Sequence, residues 1–571
     1  MRKGIFPYEY VDSWEKLGED RLPNIDEFYS TLTQETISSD DYEFAQAVWN
    51  EFQCKSLGGY SDLYLLTDVL LLADVFENFR DVCLSTYELD PGWYYTAPGL
   101  SFDAMLKHTG VVLHLLTDYD MILMMEKGIR GGISQCVKRY SEANNKHMKE
   151  FNPSLDSRYI AYVDANNLYG WALSEPLPKS NFQWIDHVDV MNVPDNSNKG
   201  YILEVDLEYP SELHDLHSDL PFCPEKKIPP TGKHQKLMTT LDHKERYVIH
   251  YRALKQALSF GLKLKKIHRV IEFEQSPWMK TYIDINSQKR KLANNDFDRD
   301  FYKLMNNAVF GKTMENVRKR IDLELVCNPK RLDKVISSSL FIDRTIYSEN
   351  LVAIHKRKNF VKMYKPLYIG QAVLDLSKTL MYQFFYENLK PKYGNNVHLM
   401  YMDTDSYIVE VMSDDFYTDL VKDLSSYDTS NYPRDHPCYS ANNAKVIGKM
   451  KDECGGKIMT HFVGLRSKLY SYRVQGDVEG KRAKGIKKNV IDKSLTFDDY
   501  VTCLKEKIQL YRKMTLIRSQ KHQIHTVEIN KTALCANDDK RFVCEDGINT
   551  LPWGHYKVDR KRSYGEAFPD S

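Results

Sequence analysis

Several things are missing from this chain of 571 residues, and each absence narrows what it can be. The ten cysteines are scattered from Cys54 to Cys544 without one C-x-x-C pair. That excludes a zinc ribbon and a compact disulfide framework, and it fits a reducing compartment. Apolar runs of membrane-spanning length are absent: Leu65 to Phe76 is interrupted by Asp68 and Asp74. Met1-Arg2-Lys3-Gly4 has no apolar signal core behind it. A surplus of one charge is missing too. The 78 basic and 79 acidic residues nearly cancel, so any nucleic-acid contact must come from local basic patches. No internal repeats are found. These absences predict a soluble, intracellular chain without membrane contact. Its 42% hydrophobic and 27% charged residues are ordinary for a globular protein, and its length implies a large core and several domains or subdomains.

What is present is organised around the stretch from His398 to Val411. Alternation at Val397, Leu399 and Tyr401, and again from Ile408 to Val411, predicts two β-strands joined by the turn Asp403-Thr404-Asp405-Ser406. Two acids at a hairpin tip repel each other. A hard cation such as Mg²⁺ relieves that repulsion through oxygen ligands and keeps room for phosphate oxygens. An ordinary Asp/Ser turn is the competing reading of a bare D-T-D-S. A second strand runs from Tyr159 into Asp164, followed by a loop and a helix. If the two strands neighbour one another, Asp164 can share the metal. Tyr169 is a candidate to lie under a sugar ring and reject a 2′-hydroxyl, with a core tyrosine as the alternative.

The helical region from Trp278 to Arg320 places Lys303, Asn307, Phe310 and Gly311 on one face, at i, i+4, i+7 and i+8. That face suits a nucleoside triphosphate, with lysine on the phosphates and the ring and glycine against the base. Lys291, in the cluster Lys289-Arg290-Lys291, adds a phosphate contact unless the cluster is a solvated face. Three further patches fit a DNA backbone. Arg130, Gly131 and Gly132 form a charged turn of close backbone approach, for which a plain turn is an equal reading. Period-two spacing puts Arg466, Lys468 and Tyr470 on one face of a predicted strand from Phe462. Lys484 and Lys487 belong to a basic glycine loop, Lys481 to Lys488, which also reads as a nuclear-import signal.

Upstream, Tyr60 to Phe76 predicts a buried helix with Tyr64 and Asp68 on one face. A phenol and a carboxylate so placed can hold a metal-bound water for phosphodiester hydrolysis. No credible partner carboxylates precede them; Asp41-Tyr42-Glu43 lies in a helical pattern too close by. Residues 141–158 read as a linker. The Pro-rich, basic section from Pro221 to Lys236 reads as an insertion or exposed binding loop, residues 323–365 as another insertion, and Leu374 to Tyr386 as an amphipathic helix. The chain closes on a polar segment.

Taken in order, these motifs resemble the family B DNA polymerases, specifically the protein-primed branch, and among them polymerases of Maverick/Polinton-type transposons and related viruses. Asp164-Ala165-Asn166-Asn167-Leu168-Tyr169 matches the first palm motif, Lys303 to Gly311 the fingers motif, Tyr401 to Ser406 the second palm motif, and Lys468-Leu469-Tyr470 the K-x-Y motif. Tyr64 and Asp68 fall where the third motif of a proofreading 3′–5′ exonuclease belongs. Departures are Gly170 for proline, Asn167 and Ala308 for serines, Phe310 for tyrosine, and Ile129 for the tyrosine of a Tyr-x-Gly-Gly linker. None removes a metal ligand or the fingers lysine.

The resemblance implies an α+β right hand preceded by a truncated RNase H-like exonuclease region. Residues 1–127 would be the exonuclease remnant, 128–275 the first part of the palm, 276–322 the fingers, 323–365 an insertion, 366–475 the second part of the palm and 476–571 the thumb. It implies DNA-directed nucleotidyl transfer with catalytic Asp164, Asp403 and Asp405. Asp164 and Asp405 would hold two Mg²⁺, which Mn²⁺ can replace. Partners would be primer-template DNA, dNTPs and a terminal protein primer, acting on a monomer, nuclear in a eukaryotic host. Terminal-protein and strand-displacement insertions are expected near 176–270 and 323–352. The first two exonuclease motifs would lie upstream of residue 1, as in the carboxy-terminal piece of a longer polymerase. A decayed transposon-derived DNA-binding protein and a reverse transcriptase are the alternatives.

Overall fold

A computed structural model describes residues 2–476, 478–520 and 523–558, which fall into two units. One comprises residues 1–100, 485–495 and 510–533; the other holds 101–484, 496–509 and 534–571. The stretch 476–571, expected as a single thumb, is therefore shared between the units. The last of its polar residues lie outside the described ones.

In the first unit the expected helix is real but longer: α1 spans Leu57–Tyr87, capped by the Ser56 side chain, which accepts from the Gly59 N–H. It is not buried. Leu57 and Tyr60 pack against Ile5, Phe6 and Trp49. Further along, Leu65, Leu66, Val69, Leu70 and Leu72 are each more than half exposed. Apolar residues fall all round this helix, and hydrophobicity alone could not say that nothing in the described unit covers them.

In the second unit the elements that matter are, in chain order, β1 (Ser134–Cys136), β2 (Arg158–Ala165), α2 (Leu168–Ser174), α3 (Lys280–Leu292), α4 (Asp296–Thr313), α5 (Leu367–Gln383), β3 (Val397–Asp403), β4 (Ser406–Met412), β5 (Met450–Asp452), β6 (Met459–Arg466) and β7 (Leu469–Val474). The predicted hairpin is β3–β4, and a six-stranded sheet forms around it in the order β1-β3-β4-β2-β5, ending in Tyr427–Asp428. Register lines up one row across the sheet: Ser134 opposite Asp403, Asp403 opposite Ser406, Ser406 opposite Asp164, and Asp164 opposite Lys451. Directly paired residues of antiparallel strands project to the same face. Sequence positions far apart thus become neighbours.

The opposite face is held by a large core in which Val397, Leu399, Val409 and Val411 meet Tyr382, Phe385 and Tyr386. The expected amphipathic helix is α5. It begins earlier and is buried on almost every side, with Lys378 donating to the carbonyls of Arg130 and Leu374. Residues 176–270, near which an insertion was expected, are built largely around a sheet. Leu177–Ile185, Lys199–Glu208, Lys244–His250 and Lys263–Ser276 form a four-stranded sheet. The proline-rich stretch stays outside that sheet and makes a two-stranded ladder of its own, Glu225–Lys227 with Lys236–Met238, while Tyr251–Ser259 is helical. The linker expected at 141–158 is an ordered loop, where the Asn144 amide bonds the carbonyls of Asn152 and Asp156. The 323–365 segment carries a separate three-stranded sheet with its own cluster of Val326, Val335, Val352 and Ile354. The helical region splits into α3 and α4, tied by the Asn286 amide donating to Asn306 at 2.8 Å. Among the described residues no helix is long and apolar enough to cross a membrane.

Candidate active site

A two-residue turn, Thr404-Asp405, closes the hairpin, with Thr404 at φ 65°. Its backbone is tied on both sides: the Thr404 N–H donates to the Ile133 carbonyl at 2.7 Å, and the Ala165 N–H to the Asp405 carbonyl at 2.7 Å. Gly132 explains itself here. A Cβ on it would come 2.3 Å from the Thr404 hydroxyl oxygen, so only glycine lets this strand reach the turn.

Asp164 and Asp405 are thereby brought together. Burial, then the carboxylates of Asp405 and Glu453, push the Asp164 carboxyl up to about 8, while Lys451 and Lys303 pull it back. The Asp405 carboxyl is raised in the same direction, by burial first and then by Asp403. Half-buried carboxyls that resist ionisation in each other's presence are a site that a divalent cation would neutralise. Among the described residues no three His, Cys, Asp or Glu side chains converge into a closed metal cage. Asp164 and Asp405 instead offer an open pair of oxygen donors, which suits a hard cation that keeps water and phosphate ligands. The residues present fit Mg²⁺.

Asp403 is held differently. The Lys468 ammonium donates to both its oxygens at 2.9 Å. The Lys468 N–H in turn donates to the Tyr401 hydroxyl at 2.8 Å. Here the structure corrects the sequence reading: Arg466, Lys468 and Tyr470 do not share one strand. β6 ends at Arg466, Ser467 and Lys468 turn the chain with Lys468 at φ 62°, and Tyr470 lies on β7. Tyr470 is buried, its ring 4.4 Å from that of Tyr401. Period two failed because one left-handed residue reverses the strand.

On α4, Lys303, Asn307 and Gly311 are exposed and Phe310 is half-buried, so the predicted face is displayed as one. The Phe310 ring stacks on Tyr169 of α2, centroids 4.5 Å apart at 20°. Burial, with the Asp405 and Asp403 charges behind it, pushes the Tyr169 phenol up to about 12. Asn167, at φ 46°, starts α2 by accepting from the Gly170 N–H. Lys291 is exposed on the last turn of α3.

Other predicted contacts are placed elsewhere. Arg130 is buried over the Tyr247 ring at 3.7 Å and donates to the Val248 carbonyl at 2.7 Å, so its charge serves the interior. Gly131 is exposed. Arg466 and Lys484 are exposed, whereas Lys487 is committed to the Leu32 carbonyl at 3.1 Å. In the first unit Tyr64 packs against Phe6 and Tyr8, and Lys3 stands 3.6 Å from Asp68.

Sequence reasoning missed Lys451, on β5, and Glu453, just after it, which both act on the Asp164 carboxyl. It also missed Lys540, whose ammonium donates to the Ser134 carbonyl at 2.8 Å. A three-residue strand in a charged stretch offers no period to detect.

The family model for DNA polymerase type B, organellar and viral, matches residues 1–390. That match stops short of the hairpin, so Asp403 and Asp405 rest on the structure. No curated protein matches the chain. Among solved structures, the chain is similar to Phi29 DNA polymerase complexed with primer-template DNA and incoming nucleotide substrates: TM-score 0.51, 13% identity, 93% of this chain and 79% of that one covered. The Phi29 polymerase with primer-template DNA in a post-translocation binary complex gives a TM-score of 0.49 at 14% identity, with 92% and 78% covered. At such identity the likeness is one of fold.

Proposed function

The chain belongs to the organellar and viral type B DNA polymerases and is a DNA-directed DNA polymerase, and on that premise we propose that it extends a primer 3′-hydroxyl along a DNA template by metal-assisted nucleotidyl transfer centred on Asp164 and Asp405. The observation that supports this reading is the pairing of Ser406 with Asp164, together with the Ala165 N–H that donates to the Asp405 carbonyl, which joins the acid-bearing turn to the strand end far from it in sequence. Mg²⁺ held there, or Mn²⁺ in its place, supplies Lewis acidity toward the attacking hydroxyl and the phosphate oxygens.

The chain's own residues do the rest. Asp164 and Asp405 bind cations and orient the α-phosphate. Lys303, exposed on α4 and close enough to act on Asp164, neutralises charge that grows on the leaving pyrophosphate. Lys291 meets the same phosphates from α3. The Tyr169–Phe310 stack forms a flat floor under the sugar, where a 2′-hydroxyl finds no room, with Asn307 and Gly311 along the base. Lys468 fixes Asp403 and stands where the primer end must come. Arg466, Lys484 and Gly131 remain exposed for backbone contact with the duplex. Priming by a terminal protein, as in replication of a viral or mobile element, and the right-hand division into palm, fingers and thumb belong to the same reading. No credible acidic partners precede Tyr64 and Asp68 in the sequence, and we assign them no proofreading.

The test is primer extension by the purified protein with dNTPs and Mg²⁺. The wild type extends, and Asp405→Asn loses incorporation by about three orders of magnitude or more while binding primer-template within twofold. Undiminished extension by that variant would refute the assignment.

A further inference from the structure

One pocket beside the acid pair is not explained by it. It has a volume of about 320 Å³ and opens between the fingers helices and the loop following β4. Arg290 and Lys291 of α3, Lys303 of α4, Lys445 and Lys451 line it, and Asp428 is the one acid among the lining residues. That acid is already satisfied. Its oxygens accept from the Asn166 amide at 2.7 Å, the Ser430 hydroxyl at 2.7 Å and the Lys445 N–H at 2.8 Å. Among the described residues Arg290, Lys291, Lys303 and Lys445 make no ion pair, and Lys451 meets Glu453 at 3.5 Å. Five cations crowded round one cavity against a single lining acid that is already hydrogen-bonded repel one another, and a polyanion is what such a cavity binds.

Position makes the ligand specific. Lys451 lies directly across β2–β5 from Asp164, on the face that carries the acids. Lys451 and Lys303 both act on the Asp164 carboxyl, so the pocket begins where the acid pair ends. The cradle is also braced. The Asn166 N–H donates to the Lys449 carbonyl at 2.9 Å, and the Gly448 N–H to the Asn166 carbonyl at 2.7 Å, which pins the loop of Lys445 to the residues following Asp164.

We propose that Lys451 is a catalytic residue of the palm: with Lys303 opposite, it clamps the β- and γ-phosphates of the incoming nucleotide and then the pyrophosphate that leaves. This deepens the polymerase reading and rests on it. The clamp has two jaws. The fingers jaw was visible as a helix face, and the palm jaw exists only because β5 pairs with β2. When the 3′-hydroxyl oxygen bonds the α-phosphorus its proton passes to solvent water, the bond to the bridging oxygen breaks and that bond's electron pair leaves on pyrophosphate. Lys451 sits on that side, where the charge increases.

The test is single-nucleotide incorporation by the full chain on primer-template DNA with Mg²⁺, with inorganic pyrophosphate as product inhibitor. Lys451→Ala raises the KM for dNTP and the inhibition constant for pyrophosphate each about tenfold, with primer-template affinity within twofold and an unchanged melting midpoint. Lys451→Arg restores both to within about threefold. A lysine that merely neutralises Glu453 and Asp164 would shift the Mg²⁺ requirement and the pH profile in Lys451→Ala and leave pyrophosphate inhibition alone; that result overturns the proposal, as does no change at all. Calorimetric titration of pyrophosphate into the wild-type protein–DNA complex separates the two readings. A wild type that extends primers but binds no pyrophosphate sinks the clamp alone. One that does not extend primers sinks the polymerase reading, and if it binds pyrophosphate no more weakly as Lys451→Ala, the clamp falls too.

Discussion

Asp164→Asn should abolish catalysis and, without divalent cations, stabilise the protein. In the fold the Asp164 carboxyl is pushed from 3.8 to about 8, chiefly by burial and by the Asp405 and Glu453 carboxylates. At about 1.4 kcal/mol per pH unit, holding it ionised at pH 8 or above costs at most about 6 kcal/mol. Water entering the open site, and movement of Lys451 and Lys303 toward the acid, reduce that to about 2–3 kcal/mol. The sign follows from proton binding. Between pH 3.8 and about 8 the folded chain keeps a proton that the unfolded chain has lost, so this contribution to stability is full below 3.8, falls through the window and is gone above 8. An asparagine carries no such penalty. Hydrogen exchange of peptides covering β2, β3 and β4 in EDTA at pH 8 measures the effect locally, which matters because two units need not unfold together. Exchange there should slow by about 30- to 160-fold in the variant. Added Mg²⁺ should reverse the order, protecting the wild type and leaving the variant unmoved. If the variant exchanges as fast as the wild type in EDTA, or gains equally from Mg²⁺, then Asp164 is not a strained ligand and the reasoning fails.

Two other substitutions probe the surroundings of the acids. Gly132→Ala drives a methyl into Thr404, so it should destabilise the protein by about 1–3 kcal/mol and lower the maximal incorporation rate by displacing the Asp405 turn; denaturant midpoints and single-turnover rates at saturating dNTP report both. Tyr169→Ala removes the floor that Phe310 stacks on, and discrimination between dNTP and rNTP should drop at least about tenfold, read as the ratio of kcat/KM values; unchanged discrimination would remove Tyr169 from sugar selection.

Local pattern made much of this protein legible. Alternation fixed the hairpin because one face of a half-buried strand must be apolar, and the 3.6-residue period placed Lys303, Asn307 and Phe310 together because a helix face is set by geometry alone. The same reasoning failed at Lys468, where a single left-handed residue reverses the chain. It failed again on α1, whose apolar surface says what should be covered but not whether anything covers it. Arg130 was misplaced for a related reason: a charge beside glycines looks exposed until the Tyr247 ring beneath it is seen.

By itself, then, the order of residues determined the hairpin, its acid-bearing turn and the shared helix face of Lys303, Asn307 and Phe310, since these depend on spacings of a few positions. Which acids meet, which lysines face them and which are spent elsewhere depended on strand pairing across hundreds of residues. Register decided that. Once β4 lies between β3 and β2, Asp403, Asp164 and Lys451 must stand in one row, because paired residues of antiparallel strands share a face.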